Sequence, residues 1–197
     1  MNLTDHIERL FDDSIDTKTR MRAQMPAAIA QAAQNMAACL KAGGKILACG
    51  NGGSAGDAQH FATELVGRFE REREELAAIA LTADNALITA IANDYSFDVV
   101  FAKQVKGLGK AGDILFAIST SGKSKNVVAA IEAAHAKGIR VVAMTGRDGG
   151  TIRGILKSDD VLLNVESNVT ARIQEVHLLT LHAICYAIDH LLFGEKP

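Results

Sequence analysis

Five short apolar runs punctuate the chain: Ile46–Cys49, Ala77–Leu81, Ile114–Ile118, Arg140–Met144 and Val161–Val165. Each is too short for a helix and is bounded by glycine or polar residues, which predicts buried strands. Between them, at about Ala55–Arg68, Asn85–Ala92, Val99–Leu108 and Lys125–Lys137, apolar residues recur at helical spacing. Such alternation implies right-handed crossovers and a parallel sheet covered on both faces. Two amphipathic helices precede it, one over about Asp5–Met21 and an alanine-rich one from Pro26 to just before Gly43-Gly44. Proline early and glycine late is the expected helix punctuation. A last long helix runs from near Thr170 through Leu192, and its Leu178, Leu181, Ile184 and Ile188 stripe reads as core packing. The expectation is an α/β fold in one domain over residues 1–197. In it, residues 1–42 form a helical arm and residues 45–197 the core with its C-terminal helix.

Bulk properties narrow the function. The chain has 197 residues, 48% apolar and 22% charged, which suits a soluble globular domain. A formal net charge of −2 gives no reason to expect nonspecific binding to nucleic acid or an anionic membrane. A phosphorylated ligand has to be attracted locally, by helix ends and a few cations. Cys39, Cys49 and Cys185 are odd in number and widely spaced, so they read as buried apolar residues in a reducing compartment. The N-terminus has no apolar leader and no span reaches membrane length, so a cytoplasmic location is expected. The run Glu70-Arg71-Glu72-Arg73-Glu74-Glu75 reads as a solvated loop.

Ligands of open α/β sheets bind beyond the carboxyl ends of the strands. Four polar clusters fall there: Asn51–Ser54, Thr82–Asn85, Ser119–Ser124 and Thr145–Gly150. In Ser119-Thr120-Ser121-Gly122-Lys123-Ser124 a strand delivers hydroxyls and a glycine to the start of a helix, a pattern that cradles phosphate. Gly122-Lys123-Ser124 matches the end of a nucleotide P-loop, but that motif needs glycine where this chain has Ala117. Gly50-Asn51-Gly52-Gly53-Ser54-Ala55 fits the permissive dinucleotide fingerprint, yet the acid that should end the second strand is missing. A turn whose backbone and Asn51 hold a polar ligand fits better.

His60 and Glu64 lie four apart on the following helix and share a face, a spacing suited to a metal or to proton transfer. The last helix offers Gln174, Glu175, His177 and His182. Gln174 and His182 lie eight apart, on adjoining faces one above the other. His177 is nearly as good a ligand by chemistry, and periodicity does not choose.

Taken with Ala92-Asn93-Asp94, Thr145-Gly146 and Arg172-Ile173-Gln174-Glu175-x-His177, these motifs resemble the sugar isomerase (SIS) domain family over essentially the full length. Within it the chain is similar to the phosphoheptose isomerases. That resemblance implies an SIS-type three-layer sandwich with a five-stranded parallel sheet. It also implies conversion of sedoheptulose 7-phosphate to D-glycero-D-manno-heptose 7-phosphate, for the ADP-heptose of lipopolysaccharide core. It further implies a homotetramer with sites at subunit interfaces and one zinc per subunit, held by His60, Glu64, Gln174 and His182. Substrate would contact Asn51, Gly52, Gly53, Glu64, Asn93, Asp94, Ser119, Thr120, Ser121, Ser124 and Gln174, with Glu64 and His182 as the acid/base pair. The alternative is a non-enzymatic relative, the DnaA initiator-associating type, whose partner is the replication initiator protein. That relative lacks the carboxylate found here at Glu64.

Overall fold

The structure is a computed structural model and describes residues 2–195. Helices α1 (Leu3–Gln24) and α2 (Pro26–Lys41) lead into β1 (Ile46–Cys49) and α3 (Gly53–Val66). Then come β2 (Ala78–Ala80), α4 (Asn85–Asp94), a short 3-10 turn at Phe97–Val99, and α5 (Val100–Leu108). The chain continues through β3 (Ile114–Ser119), α6 (Lys125–Ala136), β4 (Arg140–Gly146), α7 (Gly150–Ile155), β5 (Val161–Val165) and α8 (Thr170–Phe193). All five strands are parallel, in the order β2-β1-β3-β4-β5. The sequence-based elements therefore form within a few residues of their expected bounds. The additions are the 3-10 turn and α7, whose six residues include Gly150 and Gly154 and carry too little apolar pattern to announce a helix.

Alternate strand residues feed two separate cores. Ile46, Ala48, Ile114, Phe116, Ile118, Val142 and Met144 face α1, α2, α3 and α8. Leu47, Cys49, Leu115, Ala117, Val141 and Ala143 face α4, α5, α6 and α7. Period-two alternation with both faces apolar is what a parallel sheet between helical layers demands. Phe61 of α3 meets Phe116 of β3 edge-on at 4.8 Å, both fully buried. By length and apolarity α8 could cross a bilayer, its best window having a mean hydropathy of 1.4, against the expectation that no span does. Here it is a core helix, its buried face running from Ile173 to Asp189.

Two features depart from the expected loops. The segment between α3 and β2 is not simply solvated, because the Arg73 side chain is 1% exposed and paired with Asp189. At the amino ends of the strands, Asp113 accepts hydrogen bonds from the Lys45 N–H at 3.0 Å, Lys45 Nζ at 2.6 Å and the Lys110 N–H at 2.9 Å. This pins the start of β1 to the start of β3. Burial pushes the Asp113 carboxyl up, but the Lys45 side chain and the backbone donors outweigh it and hold it below its usual range.

Asp113→Ala should therefore cost about 2–4 kcal/mol in urea unfolding at neutral pH. The sign follows from the lowered folded value. The contribution is complete above about pH 4, the ordinary carboxylate range, and disappears as acid takes the pH through the folded value. Wild type and variant should accordingly converge in stability at low pH.

Candidate active site

In this strand order the chain leaves β1 toward β2 on one side and β3 returns on the other, so β1 and β3 flank the topological switch point. The turns after these two strands are Gly50–Ser54 and Ser119–Ser124. Asn51 and Asn126 bridge them by a reciprocal amide pair, each Nδ2 donating to the other's Oδ1 at 2.8 Å. Asn126 is buried, so this pair fixes the spacing of the two turns.

The second turn has the shape of an anion seat. Ser119, at the end of β3, hydrogen-bonds through its hydroxyl to that of Ser124 at 2.9 Å. Ser124 is the N-cap of the twelve-residue helix α6, but its hydroxyl makes no cap bond. Ser121 Oγ accepts from the Lys123 N–H at 3.2 Å, and Thr120 is half-buried beside it. Gly122 has φ +64°, and a Cβ there would sit 2.0 Å from the Gly149 carbonyl oxygen. Only glycine fits, and the loops after β3 and β4 touch backbone to backbone.

The first turn opens α3 at Gly53, where a Cβ would lie 2.2 Å from the Gln174 amide nitrogen. Helices α3 and α8 thus run alongside each other from a shared start. Further along, His60 Nε2 lies 2.8 Å from Glu64 Oε1 and 3.4 Å from His182 Nε2. Donor atoms of His60, Glu64 and His182 all lie within 4.8 Å of one another, the one such group among the described residues. Two imidazole nitrogens on a tetrahedral zinc, at about 2.0–2.1 Å each, stand about 3.3–3.4 Å apart, which is the separation seen. Two imidazoles and a carboxylate also match the donor chemistry zinc prefers. The Phe69 ring packs against His182 at 5.7 Å and backs its imidazole.

The remaining sequence candidates are placed by their own contacts. The Gln174 amide nitrogen lies close to where a Cβ on Gly53 would stand, at the opening of α3. Asn93 and Asp94 are exposed at the end of α4, where Asn93 donates to Asp94 at 2.9 Å. Thr82 serves packing, its hydroxyl bonded to the Ala55 carbonyl. Burial pushes the thiol of Cys49 up to about 12 and those of Cys39 and Cys185 also upward, so none is poised as a nucleophile.

The SIS domain profile matches residues 10–146. A phosphoheptose isomerase of Azoarcus sp. (strain BH72) is 59% identical over 196 residues, covering all of both chains. One from Dechloromonas aromatica (strain RCB) is 57% identical over the same span and coverage. The solved phosphoheptose isomerase of Neisseria gonorrhoeae superimposes with a TM-score of 0.92 at 53% identity, covering 95% of this chain and 99% of that one. This chain belongs to the phosphoheptose isomerases of the SIS domain family.

Two further residues of this SIS domain protein carry chemistry, one that its sequence pattern did not single out and one that it left undecided. Asp57, three positions before His60 on α3, has Oδ2 buried with no hydrogen-bond partner among the described residues. Burial pushes its carboxyl up to about 6, and His60 pulls it the other way. Its helical spacing from His60 was the available signal. His177 was left undecided against His182, and packing settles it. It is fully buried, faces the Thr145 carbonyl at 2.9 Å, and burial drives its imidazole down to about 4, partly opposed by that hydrogen bond. It is a neutral donor to the end of β4, remote in role from the His60 group.

A lowered folded value means the folded state refuses a proton that the unfolded chain accepts. Stability should fall as pH drops from about 6.5 to about 4, by about 3 kcal/mol from His177. His177→Gln keeps a donor for Thr145 and cannot titrate. It should flatten that part of the stability–pH curve, measured by urea unfolding of both proteins at half-unit pH steps.

Proposed function

We propose that this protein interconverts sedoheptulose 7-phosphate and D-glycero-D-manno-heptose 7-phosphate in the cytoplasm, supplying the ADP-heptose of lipopolysaccharide core. The observation that carries the mechanism is the meeting of Glu64, His60 and His182 within 4.8 Å. Ketose-to-aldose conversion needs a base that takes the C1 proton and returns it to C2, and an acid that moves a proton from O1 to O2. Glu64 is the base. Its Oε1 is engaged by His60, leaving the second oxygen to take the carbon-bound proton. His182 protonates O2 as that proton leaves and receives the O1 proton as it returns.

His60, Glu64, Gln174 and His182 would hold one zinc per subunit, and zinc there would stabilise negative charge on the oxygens of the reacting carbons. Gln174, Asn51, Gly52 and Gly53 would hold the sugar near the opening of α3. Ser119, Thr120, Ser121 and Ser124 would seat the 7-phosphate at the N-terminus of α6. Binding energy gained at that remote end holds C1 and C2 against the base.

The functional unit is a homotetramer. Leu3, Ile7, Leu10, Phe11 and Ile15 leave an exposed apolar stripe along α1, which a second copy would cover. Asn93 and Asp94, exposed away from the His60 group, then serve a site shared between subunits. Neither the geometry nor these relatives favour the initiator-associating alternative.

The test is purified protein with sedoheptulose 7-phosphate, followed by NMR. Wild type should form the aldose, lose activity with a strong chelator and recover it with zinc. Glu64→Gln should bind substrate with a near-normal Kd by calorimetry and turn over at least about a thousandfold more slowly. Normal turnover in that variant would remove Glu64 from the mechanism.

A further inference from the structure

Two of the three arginines in the segment that leaves α3 and returns to β2 each cap a different helix. Arg71 Nη1 donates to the Gly194 carbonyl at 2.9 Å and its Nη2 to that of Phe193 at 3.4 Å, where α8 ends. Arg73 Nη2 donates to the Glu64 carbonyl at 2.6 Å and Nη1 to that of Leu65 at 2.8 Å, where α3 ends. Terminal helix carbonyls lack intrahelical partners and carry partial negative charge, so a guanidinium suits both places. Arg73 does more, because its Nε meets Asp189 Oδ1 at 3.0 Å, and Asp189 lies two turns beyond His182 on α8. These side chains are 1% and 6% exposed. One guanidinium therefore grips the backbone of Glu64 and the helix that carries His182.

We propose that Arg73, acting through Asp189, is a positioning residue that sets the axial register of α3 against α8 so that Glu64 and His182 meet. The proposal rests on the isomerase reading above. Phe61 and Leu65 of α3 and Leu181, Ile184 and Ile188 of α8 belong to one apolar core, whose contacts favour burial without selecting one register. A one-residue slip along a helix moves every side chain by about 1.5 Å, and about 1 Å of misplacement can cost about a hundredfold in rate. The contact of Gly53 with Gln174 fixes the opening ends of the helices. The guanidinium fork, with its directional bonds, fixes the far ends, and the His60 group lies between.

The test compares wild type with R73M/D189L and with R73K. Replacing the whole buried pair by apolar side chains leaves no stranded charge, so the double variant should fold. R73K keeps a cation for Asp189 but has no planar fork for the Glu64 and Leu65 carbonyls. For each protein, kcat and KM per folded subunit, the zinc dissociation constant from chelator competition, and Tm are measured. The expected result in both variants is a kcat about ten- to a hundredfold lower, KM within about twofold, and zinc binding about tenfold weaker. Wild-type kcat and zinc affinity in either variant would overturn the proposal, as would a loss confined to Tm with kcat per folded subunit unchanged. A manyfold rise in KM with kcat preserved would overturn it too. Wild type that fails to turn over the sugar phosphate sinks the isomerase reading instead, and the zinc affinities still decide the register.

Discussion

The chemistry proposed for this protein depends on α3 and α8 lying side by side in one register. His60 and Glu64 ride on the first helix and His182 on the second, and their donor atoms come within 4.8 Å of one another. Apolar packing holds such helices together without telling them where to stop. The stops lie at the two ends, the close approach of Gly53 to the Gln174 amide at one and the directional bonds of a guanidinium fork at the other. Most of the fold's stability can thus come from the sheet and its two apolar cores, while a few buried polar contacts set the geometry that chemistry needs.

A second constraint holds the turns after β1 and β3. The switch point between β1 and β3 opens a crevice, and the turns on its rims come from different βα units. The Asn51–Asn126 pair spans that crevice with two amide hydrogen bonds. The two turns proposed to hold sugar and phosphate are therefore parts of one framework, which would leave little to order when ligand arrives.

Much of this was legible in the sequence, for identifiable reasons. Strands and helices announced themselves because both faces of the sheet are buried, which makes each strand a dense apolar run bounded by glycine or polar residues. The hydroxyl cluster and the glycine turn were readable as turns because both are set by local backbone shape. Three things were not. Helix α7 is too short and glycine-containing to show a period. The choice between His177 and His182 depends on which face of α8 meets the core, and the helix is apolar nearly all round. Arg73 stands in an alternation of arginine and glutamate that usually marks a solvated surface. Its burial is decided by Asp189, 116 positions away, and no local pattern carries that information.

The junction of Gly122 with Gly149 and Gly150 is built from peptide groups, with the Ile152 N–H donating to the Gly122 carbonyl at 2.9 Å. With the 7-phosphate seated as proposed, side-chain drift around this junction would alter what grips the sugar without moving the phosphate's anchor. The distance from that anchor to the proposed proton-transfer centre would then be set largely by the backbone, and the site would work as a ruler. It would read how many carbons separate phosphate from carbonyl before it reads the configuration of any hydroxyl between them.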